Sequence, residues 1–427
     1  MVKSVRVGKR LFIAIVFSFS VGTASAQWNN DYADNKQQAK FSVGVCGNLD
    51  FGSNAITSDF AYSFYRGNYL DSALKKQVSS NLKTNNRIGF NFSYGLYAVL
   101  YNDTIRKKRV FNFFAALKQR NYFNASFTAD DFNLGFYGNA MYAGKTATIS
   151  PLNITSLSYY QAEIGFVCTN FGGGAQFGGG ISFLAGKNYT NFNSTNATLY
   201  TDTYGQYLQL NTNSQAWISD TSKGYQKRIN GIGASLDVYF KAPYKVGHKK
   251  GEISISVSDI GFIWWNSRSI SYQKDSSYNY YGIYINSVSS LENTTFHSLS
   301  KDSLQNKYLP FSKGGFYGPI PTTLKIVSNT ELSPKFHLQA GYWNVFNAND
   351  IGYIYLQADK YFRHGWCTSL QVGYGDYTTI NGALIIAKEF KHCKAALAVN
   401  RLQGFILPSM FGGAGAYANF VYYFGKK

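Results

Sequence analysis

Five histidines (His248, His297, His337, His364 and His392) and four cysteines (Cys46, Cys168, Cys367 and Cys393) are the residues of this sequence best suited to metal or nucleophilic chemistry. No two histidines stand at metal-ligand spacing and no cysteines form a CxxC pair, so neither set reads as a zinc or redox centre. His337 shares a strand face with Gln339, where a Ser-His hydrolase could be built, but no serine or acid is placed near it by spacing. The run Gly172-Gly173-Gly174-Ala175-Gln176-Phe177-Gly178-Gly179-Gly180 lacks the Lys-Ser/Thr of a phosphate loop and opens a strand rather than a helix, so its glycines read as a tight turn and a strand kink. The expectation is a chain without catalytic residues, metal or cofactor. The cysteines read as small buried hydrophobes, with Cys367 and Cys393 the pair nearest to bridging.

The remaining chemistry is electrostatic and apolar. Arg106, Lys107, Lys108 and Arg109 form one basic cluster, and Lys245, Lys249 and Lys250 another. Such groups hold phospholipid head groups or an acidic protein surface. Leu70, Leu74 and Val78 recur every four residues behind Asn68 and Asp71, which predicts a short amphipathic helix near 68–82. Its stripe must cover something, either a neighbouring loop or the mouth of whatever the strands enclose.

Those strands are numerous. Fourteen strand-like segments run from Phe41 to Phe424, and the gaps between them alternate in length. The odd gaps are 49–86, 123–156, 187–228 and 261–321, then the shorter 344–349, 376–379 and 402–411. The even gaps, 102–109, 169–174, 241–251, 331–335, 360–364 and 389–394, are all short. Within the segments the faces alternate: Trp366, Thr368, Leu370, Val372 and Tyr374 oppose Cys367, Ser369, Gln371, Gly373 and Gly375. Ile232, Ala234, Leu236, Val238 and Phe240 likewise oppose Gly233, Ser235, Asp237 and Tyr239. A soluble sandwich shows the alternation but has no reason to keep one end short. A transmembrane antiparallel β-barrel does, with tight periplasmic turns and long extracellular loops. A barrel of this size encloses more space than side chains fill, so its bore is either plugged or conducting.

Composition and export agree. Tyr (35) and Phe (34) suit strands and interfacial girdles, and only seven prolines interrupt 427 residues. Lys3, Arg6, Lys9 and Arg10, the apolar Leu11 to Val21 and the small Ala24-Ser25-Ala26 read as a signal peptide of residues 1–26, cleaved after Ala26, with 27–427 as one barrel. Loss of those four cations lowers the formal charge from +19 to +15. The short gaps and the tail Lys426-Lys427 hold fifteen of the cations against only three acids, Asp103, Glu331 and Glu389. The expectation is therefore a basic periplasmic rim and no affinity for nucleic acid.

The terminal aromatic strand Ala414 to Phe424, the Ala-Gln junction and the stretch Val257-Ser258-Asp259-Ile260-Gly261-Phe262-Ile263-Trp264-Trp265 resemble outer-membrane barrels of Bacteroidota, broadly related to FadL-type fatty-acid channels and to the secretion barrel PorV. Asp71-Ser72-Ala73, Asp103-Thr104-Ile105 and Asp302-Ser303-Leu304 similarly resemble the O-glycosylation motif of that phylum. The resemblance implies an outer-membrane location in contact with lipid, and FadL-like transport or binding of a small hydrophobic ligand. Its other branch implies a docking barrel for a periplasmic, secretion-system or cell-surface protein. The first strand follows Gln27 to Lys40 directly, without the N-terminal hatch of the FadL type.

Overall fold

Alternating apolar and polar residues make a strand wherever one face meets lipid and the other a polar interior. Fourteen such strands close into a ring in the computed structural model, which describes residues 39–102, 111–169, 171–220, 229–281 and 311–426. In chain order the strands are β1 (Ala39–Ser53), β2 (Asn86–Asn102), β3 (Phe111–Phe127), β4 (Lys145–Thr148), β5 (Leu152–Cys168), β6 (Gln176–Thr201), β7 (Leu208–Ile218), β8 (Gly231–Val246), β9 (Lys249–Trp265) and β10 (Ile270–Tyr280). They continue with β11 (Ser312–Lys313), β12 (Phe316–Pro319), β13 (Thr322–Ser333), β14 (Phe336–Phe346), β15 (Tyr353–Tyr361), β16 (Trp366–Tyr374), β17 (Ile380–Glu389), β18 (Cys393–Asn400) and β19 (Gly412–Lys426). Four helices accompany them: α1 (Ser58–Arg66), α2 (Ser72–Asn81), α3 (Ala129–Tyr137) and α4 (Leu402–Ile406). No helix among the described residues is long and apolar enough to cross a membrane.

All strands except β4, β7, β10, β11 and β12 form the wall, each antiparallel to its neighbours. The ring closes where β19 pairs with β1, from Phe41 against Phe424 to Ser53 against Gly412. The two faces are chemically distinct. On β16, Trp366, Leu370, Val372 and Tyr374 are exposed on the outside, whereas Ser369 and Gln371 are buried within. On β8, Ile232, Leu236, Val238 and Phe240 point out and Ser235, Asp237 and Tyr239 point in. Hairpins at one end are tight: β8 and β9 are joined by Gly247-His248, with Gly247 at φ 59 supplying the left-handed backbone that the turn needs. This is the periplasmic end, where β1 starts and β19 stops; the other end carries the long extracellular connections.

Two of those long connections hold more strand than the sequence pattern predicts. β6 has 26 residues, far more than the roughly 10 that cross a bilayer. Its first half, Gln176 to Gly186, pairs with β8 in the wall. Its second half, Thr190 to Thr201, pairs with β7, and β7 pairs in turn with β10. A polar wing therefore rises from the extracellular end, using parts of the predicted loops 187–228 and 261–321. Of the latter, residues 261–281 and 311–321 contain the end of β9 with β10, β11 and β12, while 282–310 lie outside the described residues.

The predicted loop helix is present as α2, shorter than 68–82 and capped by Asp71, whose side chain accepts a hydrogen bond from Leu74 N–H. Its neighbours α1 and α3 were not anticipated; α3 starts at a reciprocal capping box between Thr128 and Asp131. Leu70, Leu74 and Val78 pack with Phe60 of α1 and Phe132 of α3, against Phe51, Ile88 and Phe127 of the wall. Those three wall residues share strand faces with the exposed Leu49, Leu96 and Leu117. The helical trio thus lies against the outer surface of the extracellular rim. No disulfide joins the four cysteines; Cys168 is buried and the others partly so.

Candidate binding chamber

The interior is layered. Near the periplasmic end Tyr97, Val99, Tyr101, Phe114, Val167, Tyr239, Val421 and Tyr423 form a buried apolar cluster. Above it, at mid-wall, lies a belt of charge. Lys118 Nζ is 2.7 Å from Glu163 Oε2, and Arg120 Nη2 is 3.2 Å from Asp259 Oδ2. Arg120 Nε donates to Gln161 Oε1 at 3.2 Å, and Gln161 Nε2 to Asp259 Oδ1 at 2.8 Å. Asp259, held at φ 62 in a bulge opposite Asp237, donates its backbone N–H to Asp237 Oδ1 at 2.6 Å. None of these six side chains leaves a buried nitrogen or oxygen unpartnered.

Over the belt, in the extracellular half, is a cavity of about 110 Å³. Its walls come from β1, β2, β3 and β14 through β18, and its apolar surface from Tyr122, Trp343, Val345, Tyr353 and Tyr377. The Trp343 and Tyr353 rings lie with centroids 4.3 Å apart. Two short loops fold inward over it. In the β14–β15 loop, Asn349 donates from its backbone N–H and from Nδ2 to Asn124 Oδ1 of β3, at 3.2 and 2.7 Å. In the β16–β17 loop, Tyr377 lies on Gly89 of β2 so closely that a Cβ there would come within 2.3 Å of the ring. Asp376 N–H donates to Ile351 O at 3.0 Å and ties the two loops together.

Arg401 pins this lid to the wall. Directly after β18 it adopts φ 54, a conformation that costs a non-glycine residue about 1–2 kcal/mol. Nε donates to Asp50 Oδ1 at 2.9 Å and Nη2 to Asp50 Oδ2 at 2.6 Å, a bidentate grip on β1. Nη2 also meets Asp376 Oδ2, and Nη1 reaches Thr378 and Asn381, both at 3.3 Å. Gly52 makes room for this, since a Cβ there would stand 2.5 Å from Arg401 Cζ. Burial opposes the Arg401 charge, but Asp50 and Asp376 outweigh it and hold the guanidinium ionised above its ordinary range.

Other lining groups are unsatisfied. Asn48 Oδ1, Asn91 Oδ1, Asn400 Oδ1 and both carboxylate oxygens of Asp350 are buried, with no donor at hydrogen-bonding geometry among the described residues. Burial pushes the Asp350 carboxyl up to about 8 and nearby Asp376 adds to this; the backbone N–H groups of Asp350 and Val345 and the Arg87 guanidinium pull it down less strongly.

None of the residues singled out by sequence lines this cavity. Leu70, Leu74 and Val78 sit in the outer helical cluster. Lys245, Lys249 and Lys250 are exposed on the β8–β9 hairpin, and Arg106, Lys107, Lys108 and Arg109 lie outside the described residues. Asp350, Asp376 and Arg401 carried one usable signal: each is a charged residue in a connection of the barrel's extracellular side too short to stand clear of the mouth.

A model for a family of unknown function (DUF5723) matches residues 35–395. No curated protein matches the chain. Among solved structures it is similar to the toluene transporter TbuX of Ralstonia pickettii, at 8% identity over 91% of this chain and 90% of that one, with TM-score 0.43. It is also similar to the toluene transporter TodX of Pseudomonas putida, at 8% identity, 90% and 88% coverage and TM-score 0.41. The translocator domain of the autotransporter NalP from Neisseria meningitidis gives 9% identity, 92% coverage of each chain and TM-score 0.36.

Proposed function

The chain belongs to the family of unknown function DUF5723, and from the geometry of its interior we propose that it is an outer-membrane barrel that binds a small, largely apolar molecule in its lumen and passes it across the membrane. The observation that carries this is the chamber itself: a cavity of about 110 Å³ walled by aromatic rings and covered by two loops held by a single arginine. A barrel built only as a scaffold gains nothing by leaving such a space, because unfilled volume in a packed interior forfeits contacts. Engineered cavities of about 150 Å³ hold a benzene ring, so this partly open chamber is of the size that small molecules occupy. Planar-bilayer recording tests the reading. Wild-type protein is expected to show brief, small openings, and Arg401→Ala, with its lid released, long-lived ones; silence from both defeats transport.

A second reading, a docking barrel for a periplasmic, secretion-system or surface partner, is favoured by the exposed Lys245, Lys249 and Lys250 on one hairpin. Replacing all three by Gln should then reduce retention on anionic vesicles or abolish co-purification of a partner protein. Unchanged retention and unchanged co-purification would remove it. We also propose Gln27 as the mature N-terminus, which mass spectrometry of protein isolated from outer membranes would read directly.

A further inference from the structure

The helix α4 lies on the outside of the wall. A Cβ on Gly382, which shares a strand face with the exposed Ile380 and Ile386, would stand 3.6 Å from Leu402 Cβ. Gly382 pairs with Val372 of β16, and Val372 with Leu356 of β15, and both of those side chains are exposed toward lipid. The helix is held there by Gln403, which accepts from Gly382 N–H at 3.1 Å and donates to Ile380 O at 2.6 Å and to Asn381 Oδ1 at 3.0 Å. Yet Phe405, Ile406, Leu407 and Met410 of this fixed segment are all exposed, Ile406 at 70%. They form an apolar patch continuous with the lipid-facing wall rather than one set apart in water.

The helix α1 continues the patch. Ser58 N–H donates to Phe411 O at 3.0 Å and Asp59 N–H to Pro408 O at 3.1 Å, which fixes the start of α1 to the β18–β19 connection. Phe60 is buried against Phe51 of the outer wall and Phe132 of α3. Tyr62, about 200° round the helix from Phe60, points away from the barrel, and Tyr65 and Arg66 share its face one turn on. Tyr62 and Tyr65 are 55% and 64% exposed, and Arg66 Cζ stands 4.5 Å from the centre of the Tyr62 ring. Side chains with an apolar body and a polar tip are those that the head-group zone of a membrane takes. From Ser58 to Lys83 the helical platform carries Arg66, Lys75, Lys76 and Lys83 against Asp59 and Asp71, and Asp71 already accepts from Leu74 N–H. An anionic head group is the complement of that charge.

Resting on the reading of the barrel as an outer-membrane protein, we infer that α1 and the β18–β19 connection form a collar in the outer leaflet that holds a phosphorylated lipid. Its acyl chains lie against Phe405, Ile406, Leu407 and Met410, and its phosphate at Arg66. The side chains follow the zones of a leaflet, aliphatic beside the wall residues that face hydrocarbon and amphipathic where head groups begin. A protein docking sideways on this face would have to displace lipid from the adjoining wall.

The experiment places the photoreactive residue p-benzoylphenylalanine singly at Ile406 or Tyr65 in the full chain, assembled in the outer membrane of a Gram-negative host. Leu370, on the lipid-facing wall, and Tyr204, 86% exposed in the turn between β6 and β7, serve as references. Irradiation is expected to give lipid adducts at Ile406 and Tyr65, as at Leu370, and none at Tyr204. Lipid adducts at Leu370 alone, or protein-sized adducts at Ile406 and Tyr65, overturn the collar and leave the barrel in its membrane. No lipid adduct at Leu370 removes the outer-membrane reading and the collar with it. A second measurement addresses the phosphate, in phosphatidylcholine nanodiscs carrying diphosphorylated lipid A. Wild-type protein should retain lipid A about fivefold more strongly than Arg66→Gln, the effect of one cation near an anionic surface. Arg66→Lys should keep most of that retention. Equal retention by wild type and Arg66→Gln overturns the phosphate assignment.

Discussion

Arg120 and Arg401 both sit inside this barrel, and they do different work. Arg120 belongs to a belt in which every charged and amide group finds a partner, bracing β3 against β5 and β9. Arg401 is gripped as firmly by Asp50 and Asp376, yet it borders a cavity where Asn48, Asn91, Asn400 and Asp350 each hold a buried oxygen without a partner. A saturated network is a strut, with nothing left over to offer a ligand. The cluster beside it, in the same wall, is left unsaturated by the protein's own groups. Tyr122 joins the two, accepting from Arg120 Nη1 at 3.2 Å while lining the cavity above.

The contrast can be broken by substitution. Arg401→Ala and Arg120→Ala should each destabilise the barrel by about 3–5 kcal/mol, because each leaves buried carboxylates uncompensated. Urea unfolding in detergent would measure this, and only Arg401→Ala should also lengthen channel openings. Next in size, Leu370→Arg on the lipid face should cost about 2–4 kcal/mol if that position lies near the bilayer midplane, without touching either cluster. A smaller effect, about 1 kcal/mol, is expected from Asn349→Ala, which removes the Nδ2 bond of the lid to Asn124; more frequent openings with near-normal stability would place it in the lid.

The last prediction concerns pH. Asp350 holds its proton in the folded chain to about pH 8, whereas an unfolded aspartate loses it near 4. The folded state binds more protons between those values, so this group makes stability fall as pH rises from about 4 to about 8. The charged groups acting on it are Asp376 of the neighbouring loop and Arg87 of β2. Asp350→Asn should flatten that part of the stability profile, and an unchanged slope would show the carboxyl to be ionised throughout.

The sequence declared its barrel because lipid enforces a strict period: Leu370 and Val372 must face out, and Ser369 and Gln371 must not. The wing escaped notice for the same reason in reverse. In water both faces of β7 and β10 are polar, as in Leu208–Ile218 with its Asn, Thr, Ser and Gln, and alternation vanishes. The helix α3 was missed although Thr128 and Asp131 ahead of Phe132 spell a capping box, because short helices inside long loops carry few repeats of the pattern. The chamber was not legible. Asp50 and Arg401 are 351 positions apart, and nothing local marks them as partners.

That separation has a consequence for assembly. Asp50 lies in the first strand of the wall and Arg401 precedes the last, so the clasp forms only when nearly the whole chain has threaded into place. Until then two acids face one another's neighbourhood without their counter-ion, and the roof of the cavity has nothing to hang from. Formation of the chamber is thus a certificate of completed insertion, and a barrel arrested one hairpin short would have neither clasp nor pocket.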